Sequence, residues 1–117
     1  MSFRMWRERV QDILDAVEEI QRFTDQLDSE RFQTDLKTVR AVELDFIVIG
    51  EAAIAIPDQV QERYPAVPWH LMRGMRNRLV HAYFAVDEQV MWDTVQNDLP
   101  LLKLALTDML DNLSALA

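Results

Sequence analysis

The sequence has no cysteine, only two glycines and only four prolines in 117 residues. Without cysteine, the chain can form neither disulfide bonds nor a thiolate metal site. All four prolines fall between Pro57 and Pro100, so both ends of the chain lack strong helix breakers. The first residues lead into no apolar stretch of signal-peptide length, and no apolar run is long enough to span a bilayer. We therefore expect a soluble, cytoplasmic protein.

Basic residues are also scarce. Twelve Lys and Arg stand against 20 Asp and Glu, which gives a formal net charge of −8. This balance disfavours indiscriminate binding to polyanions, because phosphate neutralisation needs clustered Lys and Arg. We do not expect the protein to bind DNA. Half of the residues are apolar, which predicts one folded domain over residues 1–117 rather than disorder.

The spacing of the apolar residues predicts an all-α fold. Steps of three and four predict an amphipathic helix from about Phe3 to Leu27. Asp28 supplies the N-cap for a short turn anchored by Phe32. From Asp35 to about Ile56 apolar residues surround the helix axis, which is typical of a helix at the centre of a bundle or in an oligomer interface. Gly50 in this helix predicts the close approach of a neighbouring helix.

The second half of the chain predicts three more helices. A short one runs from Asp58 to about Tyr64, and the next runs from Trp69 to about Tyr83. Asp87 caps the last helical region, which continues to the C-terminus and which Pro100 should kink or restart. The predicted architecture is an up-and-down bundle of four main helices plus a short one.

One window of the chain departs from the acidic character of the rest. Residues 63–86 contain no Asp or Glu, and these 24 residues hold four arginines and both histidines. The other 93 residues contain all 20 carboxylates and only eight basic residues. A local cationic window in an acidic chain predicts one anion-handling site.

Helical geometry limits how this window can act. Arg76 and Tyr83 lie on nearly the same side of an ideal helix, whereas Arg76 and His81 lie about 140° apart. One straight helix therefore cannot aim Arg76, His81 and Tyr83 at one small ligand. Either the helix unwinds just after His81, or a second copy of the chain completes the site. Both can hold at once.

The residue types in the window suit phosphoryl transfer on RNA. The Arg76 guanidinium can hold phosphate oxygens and stabilise developing charge, and His81 can transfer the proton of a ribose hydroxyl. Asn77 can orient His81 or bind a phosphate oxygen, and Tyr83 can stack on a base. No cluster of residues has convincing metal-ligand spacing, so metal-free cleavage through the 2′-hydroxyl fits better, without a cofactor.

Simpler interpretations exist for several polar residues of the window and for Glu51. A histidine that caps a helix C-terminus is the commoner explanation of His81 when the pair is taken alone. Arg73 and Arg78 are either phosphate contacts or a solvated helix face. Glu51, which follows Gly50 in an apolar segment, is either a satisfied buried carboxylate or a partner for Arg76 or His81.

The pattern Arg-x4-His-x-Tyr at Arg76, His81 and Tyr83 resembles the signature of the HEPN superfamily. More narrowly, the chain resembles the toxin subunits of HEPN/MNT toxin–antitoxin pairs. The likeness covers nearly the whole chain, through landmarks that share their order and spacing with that group: Ile49-Gly50-Glu51-Ala52-Ala53, Pro68-Trp69, Met75-Arg76-Asn77, Val86-Asp87, Trp92 and Asp98-Leu99-Pro100.

The resemblance implies a helical homodimer with a composite site in the cleft between two signature helices. It implies a metal-independent endoribonuclease toxin, with Arg76 and His81 as catalytic residues. Its partner would be an MNT-type nucleotidyltransferase antitoxin that transfers AMP onto Tyr83 and silences the toxin. A second hypothesis is a non-catalytic, nucleotide- or partner-binding subunit of a nucleotidyltransferase complex. A third is a purely structural helical dimer.

Overall fold

The computed structural model describes residues 3–116, and the surroundings of side chains from residue 5 to residue 112. This part of the chain forms seven α-helices and one 3₁₀ turn, and it contains no β-strand. The all-α bundle predicted from the sequence is confirmed. The helices are α1 (Phe3–Thr24), α2 (Ser29–Thr34), α3 (Leu36–Ile54), α4 (Asp58–Arg63), α5 (Trp69–His81), α6 (Glu88–Asn97) and α7 (Leu99–Leu116), and the 3₁₀ turn is Tyr83–Ala85.

The first helix ends three residues earlier than its apolar spacing predicts. Gln26 has a φ of 69°, in the left-handed region that commonly terminates helices. Leu27 therefore lies in the connection rather than in α1, although it still packs against the core. Asp28 then caps α2 as predicted, because its side chain accepts a hydrogen bond of 2.8 Å from the backbone N–H of Arg31.

The central helix is α3, which packs against α1 on one side and α5 on another. Its inward side is buried as predicted, with Val42 and Ile49 almost inaccessible to solvent. Its outward side remains apolar and exposed, since Leu44 is 61%, Val48 38% and Ile54 49% accessible. Burial at the centre of the bundle therefore accounts for only part of this helix's apolar surface.

Gly50 lies where α3 and α5 meet. A Cβ at this position would overlap the Cβ of Arg76 and would stand 2.8 Å from the carbonyl oxygen of Met72. The predicted close approach of a neighbouring helix is confirmed, and the neighbour is the helix that carries the Arg-x4-His motif. Because Gly50 has no Cβ, the backbones of α3 and α5 come close enough for their side chains to make short contacts.

The C-terminal region restarts at Pro100 rather than bending smoothly through it. Asp87 caps α6, with its carboxylate accepting from the backbone N–H of Gln89 at 2.7 Å. The helix is interrupted at Asp98, and α7 begins at Leu99. Pro100 therefore lies in the first turn of α7, where a missing N–H costs nothing.

No helix in the described part of the chain combines the length and the apolarity needed to cross a membrane.

Candidate functional site on helix α5

The start of α5 is fixed by local packing. The indole Nε1 of Trp69 donates a hydrogen bond of 3.1 Å to the carbonyl oxygen of Tyr64, and the Trp69 ring is buried. Met72, Met75 and Leu79 are also buried, and α5 packs chiefly against α3. The opposite side of α5 is therefore left facing solvent, and it carries most of the polar residues of the motif.

Arg76 is held by two neighbours. Its Nε donates to Oε1 of Glu51 at 2.6 Å, and its Nη2 lies 2.6 Å from the same oxygen. Its Nη1 donates to Oδ1 of Asn77 at 2.9 Å. The Glu51 side chain is 53% accessible, so its interpretation as a buried carboxylate is wrong, and it is a partner of Arg76 instead. The guanidinium is oriented while some of its N–H groups remain available for an anion.

His81 is the last residue of α5. The helix predicted to continue to about Tyr83 ends here, because Ala82 leaves the helical region with φ −143° and ψ 44°. The chain does unwind just after His81, as one of the two alternatives requires. Arg76 and His81 nevertheless belong to the same regular helix, so about 140° still separates them around its axis. The two side chains therefore leave α5 in directions that diverge within a single chain.

Tyr83 lies in the 3₁₀ turn that follows α5, and it is 72% accessible. Phe84 beside it is 80% accessible, and the two rings meet edge-on with centroids 5.9 Å apart. Two neighbouring exposed aromatic side chains are unusual for a surface turn, because apolar rings gain by burial. The Tyr83 side chain is thus accessible to other molecules.

Arg73 is directed toward α4. Its Nη1 donates to Oε1 of Gln61 at 2.7 Å, and the Gln61 amide donates in turn to the carbonyl oxygens of Ala53 and Ile56. Sequence reasoning did not identify Gln61, since nothing in its neighbourhood along the chain marks it. Only the fold shows that this amide joins the C-terminal end of α3 to the start of the motif helix.

Arg78 lies apart from Arg76, about 160° away around the helix axis. It borders a small cavity between α5 and α6 whose walls include Met75, Val86 and Met91. The structure therefore groups Glu51, Arg76 and Asn77. Around the axis of α5, Arg73 lies about 60° from Arg76, His81 about 140° and Arg78 about 160°.

Asp45 is a second polar group that the sequence did not single out. It lies on α3 facing α1, is 6% accessible, and its Oδ2 has no hydrogen-bond partner. Burial, followed by the adjacent Glu19 carboxyl, raises the pKa of Asp45 to about 7. The sequence feature that could have identified Asp45 is the presence of an aspartate inside the apolar run of α3.

In the described residues, no group of three or more His, Asp or Glu side chains is arranged to hold a metal ion.

These features define an all-α, HEPN-type domain with an exposed Arg-x4-His-x-Tyr motif on one helix and its following turn. Comparison with known families agrees with this class. Residues 13–109 match the family described as Ribonuclease HepT-like. The chain belongs to that family.

Individual relatives support the assignment. A protein of Thermococcus cleftensis, provisionally named ribonuclease HepT, is 42% identical over 100 residues, which cover 86% of this chain and 91% of the relative. A protein of Methanocaldococcus jannaschii, provisionally named an RNase, is 35% identical over 103 residues, covering 88% and 94%. A second protein of that organism, also provisionally named an RNase, is 38% identical over 89 residues, covering 76% and 74%. No solved structure matches the chain.

Proposed function

We propose that this protein is a metal-independent endoribonuclease with Arg76 and His81 as its catalytic residues. The observation that carries the proposal is the pre-oriented guanidinium of Arg76 on a helix that contains no carboxylate. The family membership supports the same activity. Arg76 would hold the non-bridging oxygens of the scissile phosphate and stabilise the charge that builds there.

The reaction we propose uses the substrate's own 2′-hydroxyl. That oxygen forms a bond to phosphorus, the bond from phosphorus to the 5′-oxygen breaks, and a 2′,3′-cyclic phosphate results. One proton leaves the 2′-hydroxyl and one is gained by the 5′-oxygen. His81 performs at least one of these transfers, a contribution that is typically worth about 10²–10⁴-fold. Asn77 orients the site, and Arg73, Arg78 and Tyr83 contact the RNA.

We further propose that the working site is formed by two chains. Because Arg76 and His81 diverge around α5, a second α5 is needed to bring an arginine and a histidine to one phosphate. The exposed side of α3 offers a surface for a second chain: Leu44, Val48 and Ile54 flank Glu51 there, and all three are more than a third accessible. A homodimer that covers these residues would place the two motif helices near one another.

Single substitutions test the catalytic assignment. His81→Ala and Arg76→Ala should each abolish cleavage of a defined RNA, and Arg76→Lys should also be strongly impaired, since it keeps the charge but loses the planar fork. Arg31→Ala, at an exposed position on α2, serves as the charge-matched control. Circular dichroism and sedimentation should show an unchanged fold and dimer. Full activity in His81→Ala or Arg76→Ala would refute the assignment.

We also propose a cognate MNT-type nucleotidyltransferase as antitoxin, with Tyr83 as the residue it modifies with AMP. The accessibility of the Tyr83 ring supports this role. Intact mass after co-expression with the proposed nucleotidyltransferase should show added AMP units that are absent in Tyr83→Phe. Phe84 is similarly exposed but has no hydroxyl to modify, so a substitution at Phe84 is the control and should leave the added AMP unchanged. An unmodified wild-type chain would contradict the proposal.

One observation favours the second candidate, a non-catalytic binding subunit of a nucleotidyltransferase complex. Glu51 already neutralises Arg76, and a paired arginine attracts phosphate less strongly than an unpaired one. On this alternative, the purified chain forms a stable complex with the nucleotidyltransferase and never cleaves RNA. Glu51→Gln separates the catalytic candidate from the binding candidate. If the site only binds, this variant should bind RNA more tightly than the wild type and should still not cleave it.

A further inference from the structure

The solvent side of α5 carries a regular line of residues beside Arg76. His70, Gly74, Asn77 and His81 fall within an arc of about 60° around the helix axis. Of these, His70, Asn77 and His81 are exposed, and Gly74 is half-buried. From His70 to His81 the line is about 16 Å long. It lies opposite the buried residues of the same helix, so packing inside the chain does not explain its composition.

Gly74 is the least expected member of this line. It sits in the middle of α5, where glycine lowers helix stability relative to alanine. No atom lies within 4 Å of the position that a Cβ would occupy. Gly50 differs, because Arg76 fills the space that its Cβ would need. The missing side chain at Gly74 therefore gives no packing advantage within the chain, and it leaves the helix backbone open to something outside.

The chemistry around Gly74 favours an anion. The helix contains no Asp or Glu, and neither do its immediate flanks. Arg73, at one edge of the line, is held by the neutral amide of Gln61, so this contact leaves its positive charge uncompensated. Asn77 uses its oxygen to accept from Arg76, which leaves its NH₂ group to donate. A line of hydrogen-bonding side chains that is longer than one phosphate and has the Arg73 cation at its edge suits a nucleic-acid backbone, in which phosphates recur along the strand.

We propose that the α5 face, defined as His70, Arg73, Gly74, Asn77 and His81, binds the sugar–phosphate backbone of an RNA strand that lies directly against Gly74. This inference rests on the proposed function and deepens it, since it assigns the path of the substrate. His70 and Arg73 contact phosphates on one side of the cleaved bond. Gln61 is a positioning residue, because it fixes the direction of Arg73 and does not touch the RNA.

The test measures binding separately from cleavage, with a fluorescent single-stranded RNA whose nucleotides all carry 2′-O-methyl groups. Gly74→Ala should raise the melting temperature, because the helix gains a better helix former, yet it should weaken RNA binding by about fivefold or more because the methyl group stands in the path of the backbone. Gln96→Ala, an exposed change on α6, is the matched control and should leave affinity unchanged. Arg73→Gln should reduce the slope of log affinity against log salt concentration by about one, as expected for the loss of one phosphate contact.

The outcomes separate this inference from the proposed function. If wild-type protein cleaves ordinary RNA but Gly74→Ala binds the methylated RNA equally well, the α5 path is wrong and the ribonuclease assignment stands. If wild-type protein binds without cleaving and Gly74→Ala weakens binding, the path stands and the catalytic proposal fails. If sedimentation shows that Gly74→Ala dissociates the dimer, the open space at Gly74 is filled by a second copy of the chain, and the inference is overturned. Absence of RNA binding by the wild type would also overturn it.

Discussion

Replacing Asp45 with asparagine should make the stability of this protein much less sensitive to pH. The Asp45 carboxyl is 6% accessible, and its Oδ2 finds no hydrogen-bond donor. Burial is the main cause that raises its pKa from 3.8 to about 7, the hydrogen bond and charge of Glu19 add to it, and Arg22 opposes it. Asparagine has nearly the same shape and no charge to bury, and its NH₂ group can donate to Glu19.

The direction and the size of this pH effect on stability follow from proton linkage. Because the folded-state pKa lies above the unfolded one, the stability that protonated Asp45 contributes is complete below about pH 4 and is lost as the pH rises through 7. A pKa displaced from 3.8 to about 7 corresponds to a limit of about 4 kcal/mol. Asp45 borders a cavity that is open to solvent. Water entering it should lower this limit somewhat, and the part of the effect that falls between pH 5 and pH 8 is about 2 kcal/mol, because the rest is lost below pH 5.

Urea unfolding at pH 5 and pH 8, at one fixed protein concentration, measures the effect. The free energy of unfolding of Asp45→Asn minus that of the wild type should increase by about 2 kcal/mol from pH 5 to pH 8. Asp15→Asn removes one negative charge from an exposed position on the same cleft and is the control. Equal differences at both pH values, or a difference that falls as the pH rises, would refute the description of Asp45 as a buried, proton-retaining carboxyl.

Three further substitutions test the packing and the helix caps by thermal or urea unfolding. Gly50→Ala should cost about 1–3 kcal/mol and also reduce RNA cleavage, because the new methyl group displaces Arg76; an unchanged midpoint would contradict the close crossing of α3 and α5. Asp87→Ala should cost about 1 kcal/mol through loss of the α6 cap, whereas Asp87→Asn should retain most of it. Met91→Ala, at a fully buried position, should cost about 2–5 kcal/mol, and a loss below 1 kcal/mol would show a poorly packed core.

Most of the fold could be predicted because its signals are local. A period of 3.6 residues marks each long helix, and the caps at Asp28 and Asp87 follow from side chains that bond to backbone N–H groups only a few residues ahead. The end of α1 was missed because a left-handed residue stopped it, and glutamine at position 26 is not a typical residue for that conformation. Apolar spacing alone cannot detect such a stop.

The candidate site was predictable in its residue types but not in its contacts. Glu51 and Arg76 are 25 residues apart, so the sequence left Glu51 open as a buried carboxylate or a partner, and the crossing at Gly50 decided it. The Gln61 contact to Arg73 also spans two helices and depends entirely on the fold. Helical geometry did anticipate that Arg76 and His81 diverge, because that property depends only on their separation along one helix.

The central claim is an RNA-cleaving site completed by two chains, and mixed dimers test it most directly. An Arg76→Ala chain and a His81→Ala chain should each be inactive alone. If Arg76 of one protomer acts with His81 of the other, their mixed dimer retains one intact site. We predict that mixing the two inactive variants under conditions that exchange subunits restores cleavage of a defined RNA in the presence of EDTA. Mixed dimers that form but remain as inactive as either parent would contradict the claim.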